Sequence, residues 1–278
     1  MRMGVALQAG PGRLDFSVRG ERFTTYVYGE AGSGFTTLLA PGGRAVAQGD
    51  EAGGLALWVA HGNVNGIAFL TASEPGVEGQ SAGRIESLEL MARRGTYSVG
   101  FQQTCAWRAP DGRCLLNEIR TIRVAPGPGD GRTLDLTLCL TAPEDGGVTL
   151  GRTEEALLQL RAARALLPTQ GGLLRNSTGD YGPAAMHGRS AAWCAGVGVV
   201  QGETVGFAFL DHPDNPWHPT PWLVREGGLL SPSPFAWRSV ELAPSASLTL
   251  RYRLLVYQGY VDAGWADAQL REFTRLQG

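Results

Sequence analysis

The fold is decided by three adjoining stretches, CLLNEIRTIRV at residues 114–124, PGPGDG at 126–131 and LDLTLCL at 134–140. In the third stretch, leucine occupies every second position and alternates with Asp, Thr and Cys. This period of two places one apolar face on a strand. The glycine- and proline-rich stretch predicts a turn, so the two apolar runs are expected to pair as antiparallel strands. Long antiparallel strands joined by such turns favour a β-sandwich over a parallel sheet.

Signals at both ends of the chain agree with this expectation. Two β-rich runs, 16–19 and 23–28, flank Gly20 and predict a hairpin. Residues 265–276 have the pattern of a short amphipathic helix. No repeat or linker is visible, so we predict one all-β domain over 1–278, a large antiparallel β-sandwich with a short C-terminal helix.

Composition excludes several functional classes. The 278 residues are 43% hydrophobic, which is ample for a core, and 40 glycines with 16 prolines suit many short strands joined by turns. A net charge of −2 argues against a nucleic-acid partner. We expect a cytoplasmic protein without a membrane partner, because neither a secretion segment nor a spanning run is present. The four cysteines show no metal-ligand spacing, so we expect no metal.

The densest group of polar and aromatic residues is FLDHPDNPWHPTPWLVR at 209–225, named here the proline loop. Its four prolines exclude a helix and a central strand, because proline lacks a backbone N–H and has a fixed φ. A proline-stiffened loop holds polar side chains in fixed geometry with little entropy left to lose. The alternative is a surface crossover whose prolines only prevent edge aggregation.

A polar turn at 61–66 holds a second set of candidates. His61 is either a site residue or a hydrogen-bonded turn histidine, and Asn65 is a candidate for substrate binding. Further along, residues 154–167 contain strong helix formers and by themselves predict a helix.

At this point the residues resemble a known family, the bacterial PmoA-like family of unknown function. The resemblance runs from about residue 45 to the end of the chain and is most specific between 185 and 257. The motifs that carry it are Val64-Asn65-Gly66, Leu115-Leu116-Asn117-Glu118, Gly151-Arg152-Thr153-Glu154-Glu155, Arg161, Gly188-Arg189, Trp193, Asp211-His212-Pro213, Asn215-Pro216, Pro219, Trp222, Pro234-Phe235 and Leu250-Arg251-Tyr252-Arg253-Leu254. The resemblance implies a β-supersandwich similar to galactose mutarotase, with a strand rather than a helix after Glu155.

The chain departs from the family pattern at several polar positions. Gly53-Gly54-Leu55 stands where family members carry His-His-Arg, and Glu86-Ser87 stands where many carry a histidine. Glu154-Glu155 replaces the usual Lys-Glu pair. Either the reaction has changed, or catalysis has been lost and binding kept.

Acid–base chemistry of the mutarotase type needs a carboxylate base and a histidine acid beside a ring. Glu154 or Glu155 is the candidate base, and His212 or His218 the candidate acid. Candidates to hold an anionic group or a developing enolate oxygen are Arg161, Arg189 and Arg225. Candidates to stack on a ring or bind substrate are Trp193, Trp217, Trp222, Asn65 and Asn215.

Each candidate has a structural alternative. The arginines can form ion pairs with Glu154, Glu155 or Asp211, and the tryptophans can pack in the core. His212 and His218 with Asp211 or Asp214 have donor atoms for a divalent ion, but no spacing demands one.

Two hypotheses follow for the whole protein. The first is a cofactor-independent acid–base enzyme, an isomerase, lyase or cyclase acting on a sugar-like or small cyclic metabolite, with His212, Glu154 and Arg225 as its catalytic residues. The second is a catalytically silent carbohydrate-binding or scaffold sandwich. A small-molecule partner is expected in both, and a homodimer is compatible with the apolar strands.

Overall fold

Short strands joined by tight turns make up most of the protein. The structure is a computed structural model that describes residues 4–29, 32–49, 54–70, 83–154, 157–260 and 262–275. The strands of the first half are β1 (Val5–Gly10), β2 (Arg13–Val18), β3 (Glu21–Val27), β4 (Gly34–Ala40), β5 (Arg44–Gln48), β6 (Leu57–Val59), β7 (His61–Val64), β8 (Ile67–Phe69), β9 (Arg84–Arg94), β10 (Val99–Arg108), β11 (Cys114–Pro126) and β12 (Arg132–Thr141).

The second half adds further strands and two α-helices within the described ranges. These elements are β13 (Val148–Leu150), β14 (Leu158–Arg161), β15 (Leu173–Asn176), α1 (Pro183–Met186), β16 (Trp193–Val200), β17 (Glu203–Asp211), β18 (Trp222–Val224), β19 (Leu229–Pro232), β20 (Val240–Leu242), β21 (Ser247–Gln258) and α2 (Ala263–Arg275). Single 3-10 turns lie at Pro41–Gly43, Arg164–Leu166 and Pro168–Gln170.

The strands form two large sheets and one small sheet. The front sheet has the order β1-β2-β3-β4-β6-β14-β19-β18, with β5 paired to β4. The back sheet has the order β15-β16-β17-β21-β12-β11-β10-β9, and the small sheet has the order β20-β13-β7-β8. Every strand pairing shown in these sheets is antiparallel. The predicted large antiparallel β-sandwich is therefore confirmed.

The core lies between the front and back sheets. The alternating leucines of β12 at 134, 136, 138 and 140 are buried in it, as their period of two predicts. From the front sheet, Phe16 packs 6.3 Å from Phe101 of the back sheet, ring centre to ring centre. Aromatic side chains thus join the two inner faces.

Helix α2 covers part of the outer face of the back sheet. Its residue Phe273 belongs to a separate apolar cluster with Trp193 and Leu255, which project away from the main core. The C-terminal helix predicted from the sequence is confirmed. Across the described ranges, no helix is long and apolar enough to cross a membrane.

The helix predicted over 154–167 is wrong, and the strand implied by the family resemblance is correct. Residues 158–161 form β14, followed by the 3-10 turn at 164–166. Leu158 and Leu160 enter the main core, while Gln159 projects to the other face of the front sheet. Burial of two leucines in sheet geometry overrides the local helix propensity. Residues 155 and 156 lie outside the described ranges.

Candidate functional site

The proline loop is held together by its own polar groups. The structure continues β17 to Asp211 and begins β18 at Trp222, so the irregular part is shorter than predicted. The Asp211 carboxylate is fully buried and accepts hydrogen bonds from Asn215 Nδ2 at 2.7 Å and from the Thr220 backbone N–H at 3.0 Å. It also pairs with His218 Nδ1 at 2.9 Å. A buried carboxylate is tolerated because these donors replace its lost water.

Asn215 ties the same loop to β21. Its Nδ2 donates to the Arg251 carbonyl at 2.8 Å, and its Oδ1 accepts the Arg251 backbone N–H at 2.7 Å. Together with the bond to Asp211, these contacts use both amide hydrogens of Asn215. The structure places this predicted substrate-binding residue in the scaffold of the loop.

His212 and His218 lie in different surroundings. The His212 ring is fully buried, packs edge-on against Phe273 of α2 at 4.6 Å, and accepts the Asp214 backbone N–H at Nδ1. Burial lowers the pKa of His212, which favours its neutral form. His218 is partly exposed, and its Nδ1 donates to Asp211 because a carboxylate only accepts. Of the two candidate acids, only His218 has a ring that solvent reaches.

The tryptophans predicted to stack on substrate are mostly core residues. Trp193 is fully buried and donates from Nε1 to Asp267 of α2 at 2.8 Å. Trp222 is fully buried, donates to the Ala191 carbonyl at 2.8 Å, and packs against Phe209. Neither ring presents a face to solvent. Both tryptophans therefore pack in the core, as the structural alternative predicted, rather than stack on a substrate.

Asn65 and Arg189 lie at turns. Asn65 adopts the left-handed conformation with φ 50° between β7 and β8, and its Oδ1 accepts the Thr149 backbone N–H at 2.7 Å. Arg189 is exposed ahead of β16. The pKa of Asp180 is lowered by hydrogen bonds from Asn176 and Thr178, and the charge of Arg189 adds to this effect.

Two predicted residues, Glu154 and Arg225, meet at the surface. Arg225 Nη2 lies 3.7 Å from Glu154 Oε2, with side-chain exposures of 45% and 73%. The distance and exposure describe a loose, solvated ion pair that leaves the carboxylate accessible. Glu155, the alternative base, lies outside the described residues. His212 lies instead under α2, so the structure does not bring the predicted catalytic trio into one contact group.

Arg161 and Arg225 flank the same residue of β19. Arg161 pairs with Leu229, and the Leu229 carbonyl accepts the Arg225 backbone N–H at 2.9 Å. Because strands are about 4.8 Å apart, the two arginine backbones are roughly 10 Å apart across β19. Leu160, Leu230 and Val224 belong to the core, so by alternation both arginines lie on the outer face of the front sheet.

A pair of buried donors continues this outer face toward β6. Trp58 and Gln159 are register partners on β6 and β14, with relative exposures of 2% and 1%. Trp58 Nε1 and Gln159 Nε2 have no hydrogen-bond partner within the described ranges. The Arg161 guanidinium carbon lies 5.5 Å from the centre of the Trp58 ring, a cation–π contact.

We name the group Trp58, Gln159, Arg161, Glu154 and Arg225 the outer-face site. Sequence reasoning missed Trp58 and Gln159. Gln159 lies between Leu158 and Leu160, and this alternation of polar and apolar residues is typical of a strand. Because the segment was predicted to be a helix, the alternation was not used to identify Gln159.

His61 supports the segment that carries Glu154. Its ring is fully buried, packs against Phe235 at 4.9 Å, and places Nε2 3.2 Å from the Gly151 carbonyl. Burial lowers the pKa of His61 to about 4, so the ring is neutral at pH 7 and donates from Nε2. Gly151 also donates to the Asn63 carbonyl at 2.7 Å. These bonds fix the chain three residues before Glu154.

A cleft of about 450 Å³ adjoins the outer-face site. Arg161, Arg164, Thr169 and Gln170 are among its lining residues. Arg161 therefore contacts the Trp58 ring and also lines this cavity. The cavity volume lies within the range of small-molecule binding sites. In the described part of the chain, no three or more His, Cys, Asp or Glu side chains are grouped to hold a metal ion.

The fold and this site define a class of protein: an antiparallel β-sandwich with a polar site on the outer face of one sheet. The sequence profile of the family of unknown function DUF6807 matches residues 13–271, so the chain belongs to that family. Membership in a family of unknown function agrees with the expectation from sequence, whereas the name PmoA-like is not confirmed.

One structural relative is a crystal structure from Klebsiella pneumoniae subsp. pneumoniae MGH 78578, described as a "putative aldose 1-epimerase". The match has 11% sequence identity and a TM-score of 0.49, and it covers 99% of this chain and 87% of that one. No curated protein matches the sequence. These comparisons assign no activity to this chain.

Proposed function

We propose that this protein is a cofactor-independent acid–base enzyme that isomerises a sugar-like or small cyclic metabolite at the outer-face site. The observation that carries the proposal is the pair of buried, unpartnered donors at Trp58 Nε1 and Gln159 Nε2. A buried donor without a partner costs about 1–3 kcal/mol. A ligand oxygen that accepts from one or both of these groups relieves this cost, and hydroxyl-rich rings supply such oxygens.

The aromatic and charged groups at the site suit the same ligand class. The indole of Trp58 is buried beside the site, and the Arg161 guanidinium lies 5.5 Å from the centre of its ring. Arg225 adds a second positive charge on the other side of Leu229. Two guanidinium groups near bound oxygens stabilise negative charge that develops on a carbonyl during proton abstraction.

Glu154 is the proposed base. Its carboxylate removes a proton from the carbon next to the substrate carbonyl, and the electron pair moves to the carbonyl oxygen to form an enolate. Arg161 or Arg225 stabilises that oxygen. Glu154 then returns this proton to the former carbonyl carbon, while the hydroxyl proton of the adjacent carbon moves to the enolate oxygen and a new carbonyl forms. The atoms balance, so the isomerisation needs no external reagent.

The proposal also revises the acid predicted from sequence. His212 is enclosed by α2 and is left out of the mechanism. We further propose that the protein is related to the PmoA-like family and to galactose mutarotase. A lyase or cyclase reaction is the variant of the proposed isomerisation, and a specialised biosynthetic pathway is its proposed setting.

The test is proton exchange in D₂O. The protein is incubated with a panel of aldoses and ketoses, and NMR follows loss of the C2–H or C1–H signal. We expect exchange with at least one sugar, and Glu154→Gln lowers its rate by about 100-fold or more, the range of general-base catalysis. Glu144→Gln, which changes an exposed glutamate in the turn after β12, is the matched control and retains the rate.

A second candidate is a carbohydrate-binding protein without turnover. It is favoured by the enclosure of His212 and by the high exposure of Glu154. In this case wild-type protein shows no exchange with any sugar, yet a sugar binds and Gln159→Ala weakens that binding. Exchange that proceeds equally fast in Glu154→Gln contradicts the assignment of Glu154 as the base.

A further inference from the structure

A larger cleft lies on the outer face of the back sheet, away from the outer-face site. Its volume is about 680 Å³, within the range of small-molecule sites. Residues from β1, β11, β12, β21 and α2 line it, together with the turn between β9 and β10. We name it the back-sheet cleft.

Positive charge dominates this cleft. Arg19, Arg94, Arg123 and Arg253 line it, and Glu272 of α2 is the acidic residue in its lining. Behind the lining, Asp135 pairs with Arg253 at 2.6 Å and with Arg123 at 3.1 Å. Counted over the described residues, these four guanidinium groups exceed the two carboxylates. A basic cleft on a chain of net charge −2 is a local feature that favours an anion.

The four arginines are not equally available. Arg19 donates to the carbonyls of Gly129 at 2.6 Å and Gly131 at 3.1 Å, so it helps to build the wall. Arg253 is buried, holds Asp135 through two nitrogens, and lies 4.4 Å from the centre of the Phe273 ring.

Arg123 has guanidinium N–H donors that are available to a ligand. Its side chain is 47% exposed, and Nη1 donates to Asp135 at 3.1 Å. Its Nε and Nη2 make no hydrogen bond to any residue that the structure describes. A guanidinium presents its donors as a planar fork that fits a phosphate or carboxylate.

Apolar groups complete the cleft. Tyr97 stands at the turn between β9 and β10 with 70% of its surface exposed, and Val99, Leu255 and Pro128 contribute apolar wall. An exposed aromatic ring beside free guanidinium donors suits a ligand that joins an anionic group to an apolar ring.

We propose that the back-sheet cleft binds a small organic anion, in which Arg123 receives a phosphate or carboxylate group and Tyr97 contacts an apolar ring. This cleft is lined by the back sheet, α2 and the edge strand β1, and it shares no residue with the outer-face site. Binding here therefore does not compete with substrate, and it holds or fails independently of the proposed isomerase activity.

The test is isothermal titration calorimetry with phenyl phosphate as the probe and benzyl alcohol as its uncharged comparator. We expect phenyl phosphate to bind the wild-type protein and benzyl alcohol to give no measurable heat. Arg123→Gln weakens binding roughly tenfold or more, because it removes charge-assisted hydrogen bonds. Arg123→Gln folds, since Asp135 keeps both bonds to Arg253.

Arg113→Gln is the matched control, because Arg113 also pairs with an aspartate but is 70% exposed on the hairpin turn before β11. It leaves the affinity unchanged. Tyr97→Ala weakens phenyl phosphate binding more than inorganic phosphate binding. The proposal is overturned if phenyl phosphate fails to bind at about 10 mM, if benzyl alcohol binds equally well, or if Arg113→Gln weakens binding as much as Arg123→Gln.

Discussion

Buried polar side chains of this protein fall into two groups according to their hydrogen bonds. Asp211 and Asn215 bond to each other, to the partly exposed His218 and to the neighbouring backbone. Trp58 and Gln159 are just as buried but keep donors without partners in the described residues. Satisfied groups hold a structure, whereas unsatisfied ones carry a free-energy cost that a ligand can remove.

His61 provides a pH prediction at the same scale. Its pKa falls from 6.5 to about 4 in the folded protein, because burial disfavours the charged ring. Between these two pH values the unfolded chain binds more protons than the folded chain, so the free energy of unfolding decreases as pH falls through this window. The shift corresponds to about 3 kcal/mol.

Urea unfolding at a series of pH values from 7 to 4 measures this effect. We expect His61→Gln to be less stable at pH 7 and to show a flatter loss of stability on acidification. His187→Gln, a change at an exposed histidine, retains the wild-type slope. Equal slopes for wild type and His61→Gln would contradict the role given to His61.

At the scale of elements, the proline loop owes its shape to a single buried carboxylate. Asp211 ends β17 and gathers Asn215, His218 and the Thr220 backbone around it. The sequence predicted a stiff loop rich in polar groups, and this is correct. It did not predict that those groups would bond to one another, because hydrogen-bond partners depend on how the loop folds back on β21.

Asp211→Ala tests this arrangement. The substitution leaves several buried donors without an acceptor, and we expect the free energy of unfolding to fall by about 3–5 kcal/mol. Hydrogen exchange of residues 212–221 should increase strongly. Asp214→Ala, at a side chain that is 64% exposed, changes stability by less than about 0.5 kcal/mol. Similar losses for both variants would show that Asp211 does not organise the loop.

Strand β14 shows how an element can be misread from its composition. Its leucines and the alanines of the flanking sequence favour a helix by propensity. Only a strand, however, buries Leu158 and Leu160 in the core while placing Gln159 and Arg161 on the outer face. The secondary structure of this segment determines which residues form the site. A strand pairs with β6 and places Gln159 beside Trp58, whereas a helix would give no reason to expect this contact.

Across the whole molecule, one apolar cluster connects the front and back sheets. It includes residues from Leu7 in β1 to Val256 in β21. A shared core of this extent couples the sheets, because neither can separate without exposing apolar surface.

Differential scanning calorimetry tests whether residues 1–278 act as one domain, as the sequence suggests. We expect a single transition whose calorimetric and van't Hoff enthalpies agree. Two resolved transitions, or a van't Hoff enthalpy well below the calorimetric one, would indicate separate units.

The amino-acid sequence by itself determined that this protein is an antiparallel β-sandwich with a C-terminal helix. Alternation of side chains and the turn chemistry of glycine and proline act over a few residues, so they can be read without knowing the fold. It also identified Glu154, Arg161 and Arg225 as polar candidates.

Only the tertiary structure decided which of these side chains meet. Arg161 and Arg225 share the outer face because each neighbours Leu229 of β19 from opposite sides. Trp58 meets Gln159 because β6 pairs with β14. The same packing placed His212 beneath α2. Strand order and burial arise from contacts between residues far apart in the chain, and local sequence patterns do not encode them.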